Sequence, residues 1–295
     1  MKKFDAYVRI GGSIFQVNNN RELIHRVLSL PTLILLKLFG VKILVIGCNI
    51  GPFGVRLAET VVKWDLRSAS LVTVRDVNSY KLLSKCSNHN VLYYPDIVLG
   101  YNVSEKELSQ NRECLGISVY RSTSNGSLNN VEYDRMALIA DEYIKQTGSK
   151  VLLFALDSEN ENDIAAAFNI LDRVEHKEMI EVIVHVSDPK KVIVQFSRCR
   201  SIIAIRFHSA IIAMKLSIPF LPVIYSIKME NMLNDIGYTG RRLYLDKLSS
   251  IDIAEIVETL INTGSIVNYV DSDIFLKARG HLTAARAIIE GRTID

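Results

Sequence analysis

The sequence predicts an α/β protein built from two Rossmann-like domains, and three observations carry that reading. Short apolar runs of β type alternate with stretches of helical spacing along the chain, the pattern of parallel sheets covered on both faces. Several of those runs end in Gly, Pro, Asp or Arg turns, at the edge where such sheets bear ligands. The 295 residues are enough for two domains of ordinary size.

The elements follow in order. A strand over Ala6–Ile10 ends in Gly11-Gly12-Ser13, and helical spacing covers Arg21–Leu38. Lys42–Ile46 is a strand ending in the turn Asn49-Ile50-Gly51-Pro52, followed by a helix over Gly54–Lys63. Leu71–Val74 closes on Arg75-Asp76 before a helix from Ser79 to Lys85, and Val91–Tyr94 ends at Pro95-Asp96. Cys114–Val119 is another strand, Ser124–Asn130 is turn-rich, and Tyr133–Lys145 is helical up to Gly148. A domain boundary is expected there, giving domains 1–148 and 149–295. The second half continues with strands Lys150–Leu156, Ile180–Val186, Ile202–Ile205 and Phe220–Tyr225. Helices are expected over Asp163–Arg173, Lys190–Cys199, Ser209–Leu216, Ile251–Asn262 and Asp273–Glu290. The last of these is placed to cross back to the first domain.

Composition narrows the function classes. Hydrophobic residues make up 48% of the chain and the net charge is +3, which allows a sizeable core. No dense Lys/Arg stripe with interleaved aromatics points to nucleic acid, and mild basicity suits anionic small molecules or an acidic membrane surface. The four cysteines, Cys48, Cys86, Cys114 and Cys199, form no CxxC pair, so they read as reduced thiols of a cytoplasmic protein. The apolar stretch Val27–Ile46 is interrupted by Pro31, Lys37, Gly40 and Lys42, which breaks a membrane span. His25, His89, His176, His185 and His281 lack ligand spacing, so no metal site is expected.

The chemistry concentrates at the strand ends. Arg206-Phe207-His208 follows an apolar run and opens a helix, where the helix dipole favours an anion. The arginine adds a fixed fork and the histidine a mobile proton. Arg75 sits at another strand end, beside Asp76, which would cap the next helix or orient Arg75. Gly12, Ser13 and Asn49 lie in turns that let backbone approach a ligand. Asp96 would cap a helix or bind a sugar hydroxyl, and Lys228 is placed to reach a phosphate. No GxGxxG or Walker loop is present, so a dinucleotide or NTP site is not supported.

Taken together, these pieces resemble the polysaccharide pyruvyl transferase family. The match runs through Asp5 with Gly11-Gly12-Ser13, Ile50-Gly51-Pro52, Val74-Arg75-Asp76 with Ser79, and Pro95-Asp96. It continues through Gly116-Ile117-Ser118, Arg206-Phe207-His208, Ile218-Pro219, Tyr225, Lys228 and Gly237. The resemblance implies a glycosyltransferase type B-like fold, with two domains facing a cleft. It also implies transfer of a pyruvyl group from phosphoenolpyruvate to a sugar or a lipid-linked oligosaccharide of a cell-surface polysaccharide, with no cofactor. His208 would be the acid, Arg75 and Arg206 the donor-anion binders from opposite sides of the cleft, and Phe207 stands where the family more often has leucine. Each Arg→Ala change is expected to weaken donor binding with little loss of folding. Relative to the family, the first domain is expected to be short of about 60 residues or more at its N-terminus, which leaves a sheet edge open. Peripheral association with the inner face of the membrane and a homo-oligomer are compatible with this reading. The alternatives are a sugar-nucleotide-dependent glycosyltransferase of the same fold and an inactive shortened family member.

Overall fold

The computed structural model describes residues 4–85, 90–104, 108, 109, 111–121, 130–157, 163–184, 188–265 and 273–294. Cys86, His89, His185 and most of the turn-rich stretch 124–130 lie outside them. The chain forms two compact units, one from residues 1–101 together with 272–295, the other from residues 102–271. Among the described residues, no helix is long and apolar enough to cross a membrane.

The first unit runs β1 (Ala6–Ile10), β2 (Phe15–Val17), α1 (Asn20–Leu38), β3 (Lys42–Cys48), β4 (Ile50–Phe53), α2 (Ala58–Leu66), β5 (Leu71–Val74), α3 (Val77–Ser84) and β6 (Val91–Tyr93). Its main sheet is parallel in the order β1-β3-β5-β6. β3 shows why the sheet is covered on both sides. Ile43 and Val45 pack with Leu33, Val62 and Leu66 of α1 and α2, while Leu44 and Ile46 meet Ala284 and Ala285 from the C-terminal segment. Each such side chain, taken fully out of water, contributes about 1.5–3 kcal/mol. β2 and β4 form a small separate parallel pair.

The second unit runs β7 (Cys114–Ser118), α4 (Asn130–Thr147), β8 (Val151–Ala155), α5 (Asp163–Leu171), β9 (Ile180–Val184), α6 (Pro189–Ser197), β10 (Cys199–Ala204), α7 (Phe207–Lys215), β11 (Phe220–Ile224), α8 (Ile227–Asp235), β12 (Leu243–Tyr244) and α9 (Ile253–Ile261). The sheet is again parallel, in the order β12-β11-β10-β7-β8-β9. From β7 the chain winds outward through β8 and β9, then returns to β10 and winds the other way. The order reverses between β7 and β10, which makes that gap the topological switch point.

Three expectations are corrected. The boundary lies after Tyr101 and not near residue 148. β7 hydrogen-bonds to both β8 and β10 and so forms the centre of the second sheet. Gly148, at φ 65°, only ends α4 inside that unit, its N–H bonded to the Ile144 carbonyl. The stretch Asp273–Glu290 is two helices, α10 (Asp273–Ala278) and α11 (Gly280–Glu290), packed in the first unit. They part at Gly280, where any side chain would collide with the Tyr94 ring. Cys199 belongs to β10 and not to the helix before it, because it pairs with Cys114 of β7. Burial pushes the Cys48 thiol up to about 12 and raises those of Cys114 and Cys199, so these three are unreactive.

Candidate active site

The switch point of the second unit gathers the polar groups. β10 delivers Arg206 as the residue before α7, and the Arg206 N–H donates to Ser118 Oγ at the end of β7, 3.0 Å away. The guanidinium is held by Asp163 at the start of α5. Nε donates to Oδ2 at 2.9 Å and Nη2 to Oδ1. Asp163 is fully buried and also accepts the backbone N–H groups of Arg121 (3.1 Å) and Asp157 (3.0 Å). One carboxylate thus ties the loops after β7 and β8 to the arginine after β10. The guanidinium lies 4.5 Å over the Tyr120 ring, and Tyr120 stacks on Tyr225, the residue after β11, at 4.2 Å. Bidentate pairing and stacking fix the direction of the guanidinium, which lysine at that position would not do.

α7 begins without a capping hydrogen bond from the side chain of its first flanking residue, Arg206. His208 lies in its first turn, exposed, with its ring edge-on to Phe207 at 5.5 Å. Lys228 is half-buried in the first turn of α8, at the end of the neighbouring strand β11. The structure therefore puts Arg206, Phe207, His208 and Lys228 on the same edge of one sheet.

The first unit gathers the remaining predicted residues at the ends of β1, β3, β5 and β6. Arg75 donates from Nη1 to Asp96 Oδ2 at 2.6 Å and from Nη2 to Asn49 Oδ1 at 3.1 Å, and Ser13 Oγ lies 3.4 Å from the same oxygen. Asp96 also accepts the Val98 N–H. A Cβ on Gly12 would sit 2.6 Å from Arg75 Nη2, so a side chain there would have to push the guanidinium from its present position. Of the two roles expected for Asp76, the structure shows the cap. Asp76 caps α3 by accepting from the Ser79 N–H at 2.8 Å and the Ser79 hydroxyl at 2.6 Å. The ion-pair partner of Arg75 is Asp96, 21 residues further on.

Sequence reasoning missed Asp163 and Tyr120. The available signal was position, since both follow strands of the second sheet at the edge that carries Arg206. The structure also corrects the expectation that the arginines can be removed with little loss of folding. Asp163 and Asp96 have side chains only 0% and 4% exposed, and truncating either arginine would strand a buried carboxylate. His281 is structural. It is buried, takes Thr73 Oγ1 at 2.7 Å on Nδ1, and reaches the Pro95 carbonyl at 2.8 Å with Nε2. Burial holds its pKa below the usual histidine range.

The family model described as polysaccharide pyruvyl transferase matches residues 2–227. The chain belongs to that family. As a polysaccharide pyruvyl transferase family member it has Arg75, Arg206 and His208 inside the matched span, and Lys228 just beyond it. No curated protein matches the sequence. Among solved structures, the UDP-N-acetylglucosamine 2-epimerase of Methanocaldococcus jannaschii aligns with TM-score 0.60 and 11% identity, over 97% of this chain and 77% of its own. A protein described as a UDP-N-acetylglucosamine 2-epimerase from Listeria monocytogenes aligns with TM-score 0.59 and 9% identity, over 96% and 75%. An apo OtsA structure gives TM-score 0.56 and 10% identity, over 99% and 74%. At these identities the likeness concerns the fold, which is Rossmann-like and of the glycosyltransferase type B kind.

Proposed function

We propose that this family member transfers the pyruvyl group of phosphoenolpyruvate to two hydroxyls of a sugar in a cell-surface polysaccharide or its lipid-linked precursor, forming a ketal. The observation that carries the reading is the match of the polysaccharide pyruvyl transferase model across Arg75, Arg206 and His208. The chemistry needs two things, a hold on two anionic groups and a proton for carbon. Arg75 and Arg206 supply the hold, each already oriented by a buried carboxylate. Lys228 adds a point charge for phosphate.

His208 protonates the methylene carbon of the donor, which leaves cationic character on C2. A sugar hydroxyl adds to C2 and loses its proton. The C2–O bond to phosphate then breaks, and phosphate leaves with the electron pair. A second hydroxyl adds to the same carbon, loses its proton and closes the ketal. The α7 N-terminus favours the departing dianion. Thermal stabilisation tests the donor. Phosphoenolpyruvate is expected to raise the melting temperature, and UDP- or GDP-sugars are not. The reverse pattern would assign the protein to sugar-nucleotide chemistry.

A further inference from the structure

Among the described residues, β1 and α1 of the first unit leave much apolar surface uncovered. β1 carries apolar side chains on both faces, as an interior strand of a parallel sheet does, yet Tyr7, Val8 and Ile10 are 41%, 40% and 59% exposed. Among the described strands its hydrogen-bonded neighbour is β3 alone. The Asp5 carbonyl accepts from the Lys42 N–H, and the Gly11 N–H donates to the Ile46 carbonyl. Odd-numbered peptide groups therefore face β3, and those of Ala6, Val8 and Ile10 face the open side. α1 carries a second apolar row, Ile24, Leu28, Leu35 and Leu38, spaced as one helix face and each more than half exposed. In all, nine large apolar side chains of β1 and α1 are at least 40% exposed. Tyr7 lies on the α1 face of the sheet and Val8 and Ile10 on the other, and apolar surface left exposed on both faces of an edge strand marks an interaction site.

Charge adds a direction. Arg9 and Arg26 share the one carboxylate of Asp65, at 2.6 and 2.7 Å, and flank the Phe15 ring at 4.9 and 4.7 Å. Nε of both arginines is buried without a hydrogen-bond partner. The cluster holds two cations and one anion. It also fixes α1 on the face of β1 that bears Arg9, and Asp5 shares that face by strand alternation.

We propose that a second copy of this chain covers the surface, with the two β1 strands antiparallel about a two-fold axis between their Tyr7 residues. In that register Ala6 and Val8 of one copy exchange peptide hydrogen bonds with Val8 and Ala6 of the other, using the groups that face the open side. Tyr7 stands opposite Tyr7. Asp5 of each copy stands opposite Arg9 of the other and brings the second carboxylate to the two-arginine cluster. The four-stranded sheets join into one, and both α1 helices lie on the same face of it. An edge strand pairing with its own copy is isologous, so the contact closes as a dimer and does not propagate.

Light scattering on the full chain at about 10 μM, where a micromolar interface is populated, tests this. Twice the chain mass is expected. Tyr7→Lys sets two like charges opposite each other and should raise the dimer dissociation constant at least about tenfold, with circular dichroism confirming that the fold is kept. Tyr7→Cys should give a disulfide-linked dimer on mild oxidation, because facing residues of a non-hydrogen-bonded antiparallel pair lie about 4.5 Å apart at Cα. Ile10→Cys should not. A monomeric wild type overturns the proposal, whether or not it binds anionic phospholipid vesicles. So does a dimer in which Tyr7→Cys fails to cross-link.

Discussion

In the second unit the strand order reverses between β7 and β10, and Arg206 follows one of the two strands at the reversal. In the first unit the order β1-β3-β5-β6 advances one way, and Arg75 follows the interior strand β5. Both arginines are gripped by a buried aspartate distant in sequence. What surrounds the grip differs. Around Arg75 the turns after β1, β3 and β6 close in, the Gly12 backbone lies against the guanidinium, and the next helix is capped by Asp76. Around Arg206 the strand order reverses, α7 starts with no cap from that side chain, and the guanidinium lies over Tyr120, which stacks on Tyr225. The same arginine–aspartate pair is thus built into two different surroundings, and only the one in the second unit has an exposed histidine two residues away.

The comparison breaks most readily at the aspartates. Asp163→Ala removes the two-oxygen partner of a largely buried guanidinium and frees two backbone N–H groups, and should destabilise the protein by about 3–5 kcal/mol. Asp96→Ala loses one ion pair and one backbone acceptor and should cost less. Urea unfolding midpoints of the two variants give the order. If Asp96→Ala proves the more damaging, Asp163 is not the tie between loops described above.

The next effect is on the donor. Arg206→Lys and Arg75→Lys keep the charge and lose the fork, removing charge-assisted hydrogen bonds worth about 1.5–3 kcal/mol each. Phosphoenolpyruvate affinity by calorimetry should fall by about one to two decades in each variant. Unchanged affinity in Arg206→Lys would remove that residue from the donor site.

His281 sharpens the contrast between a buried structural histidine and the exposed His208, the proposed acid. Its pKa is lowered by burial, so the unfolded chain binds a proton there that the folded chain resists. Stability should fall as pH drops through the ordinary histidine value of about 6.5. Between pH 7.5 and 5.5 this group contributes a loss of up to about 1.4 kcal/mol. His281→Gln can still accept from Thr73 and donate to Pro95, and should flatten that part of the profile. An equal slope in wild type and variant would mean that His281 does not resist protonation.

Much of this fold was readable because β3, β5, β7, β8 and β10 are apolar on both faces, and a continuous apolar run is what such burial requires. β2 and β4 were not, since strands of three and four residues are too short to carry a period, and β4 also contains Gly51-Pro52. The boundary was missed because a helix-ending glycine at 148 looks the same inside a domain as between domains, and strand order is not a local property. Arg75, Arg206 and His208 were readable from their positions after apolar runs. Asp96 and Asp163 as their partners were not, because separations of 21 and 43 residues are bridged only by the sheet.

The most direct test of the pyruvyl transfer account is phosphate release from phosphoenolpyruvate in the presence of sugar acceptors, read for wild type and His208→Asn beside their melting temperatures. The account predicts acceptor-dependent release by wild type, with the acceptor gaining one pyruvate ketal. It predicts turnover lower by roughly 10²–10⁴-fold in His208→Asn, at a nearly unchanged melting temperature. Near-normal turnover in that variant, or no release by wild type with any acceptor, would contradict it.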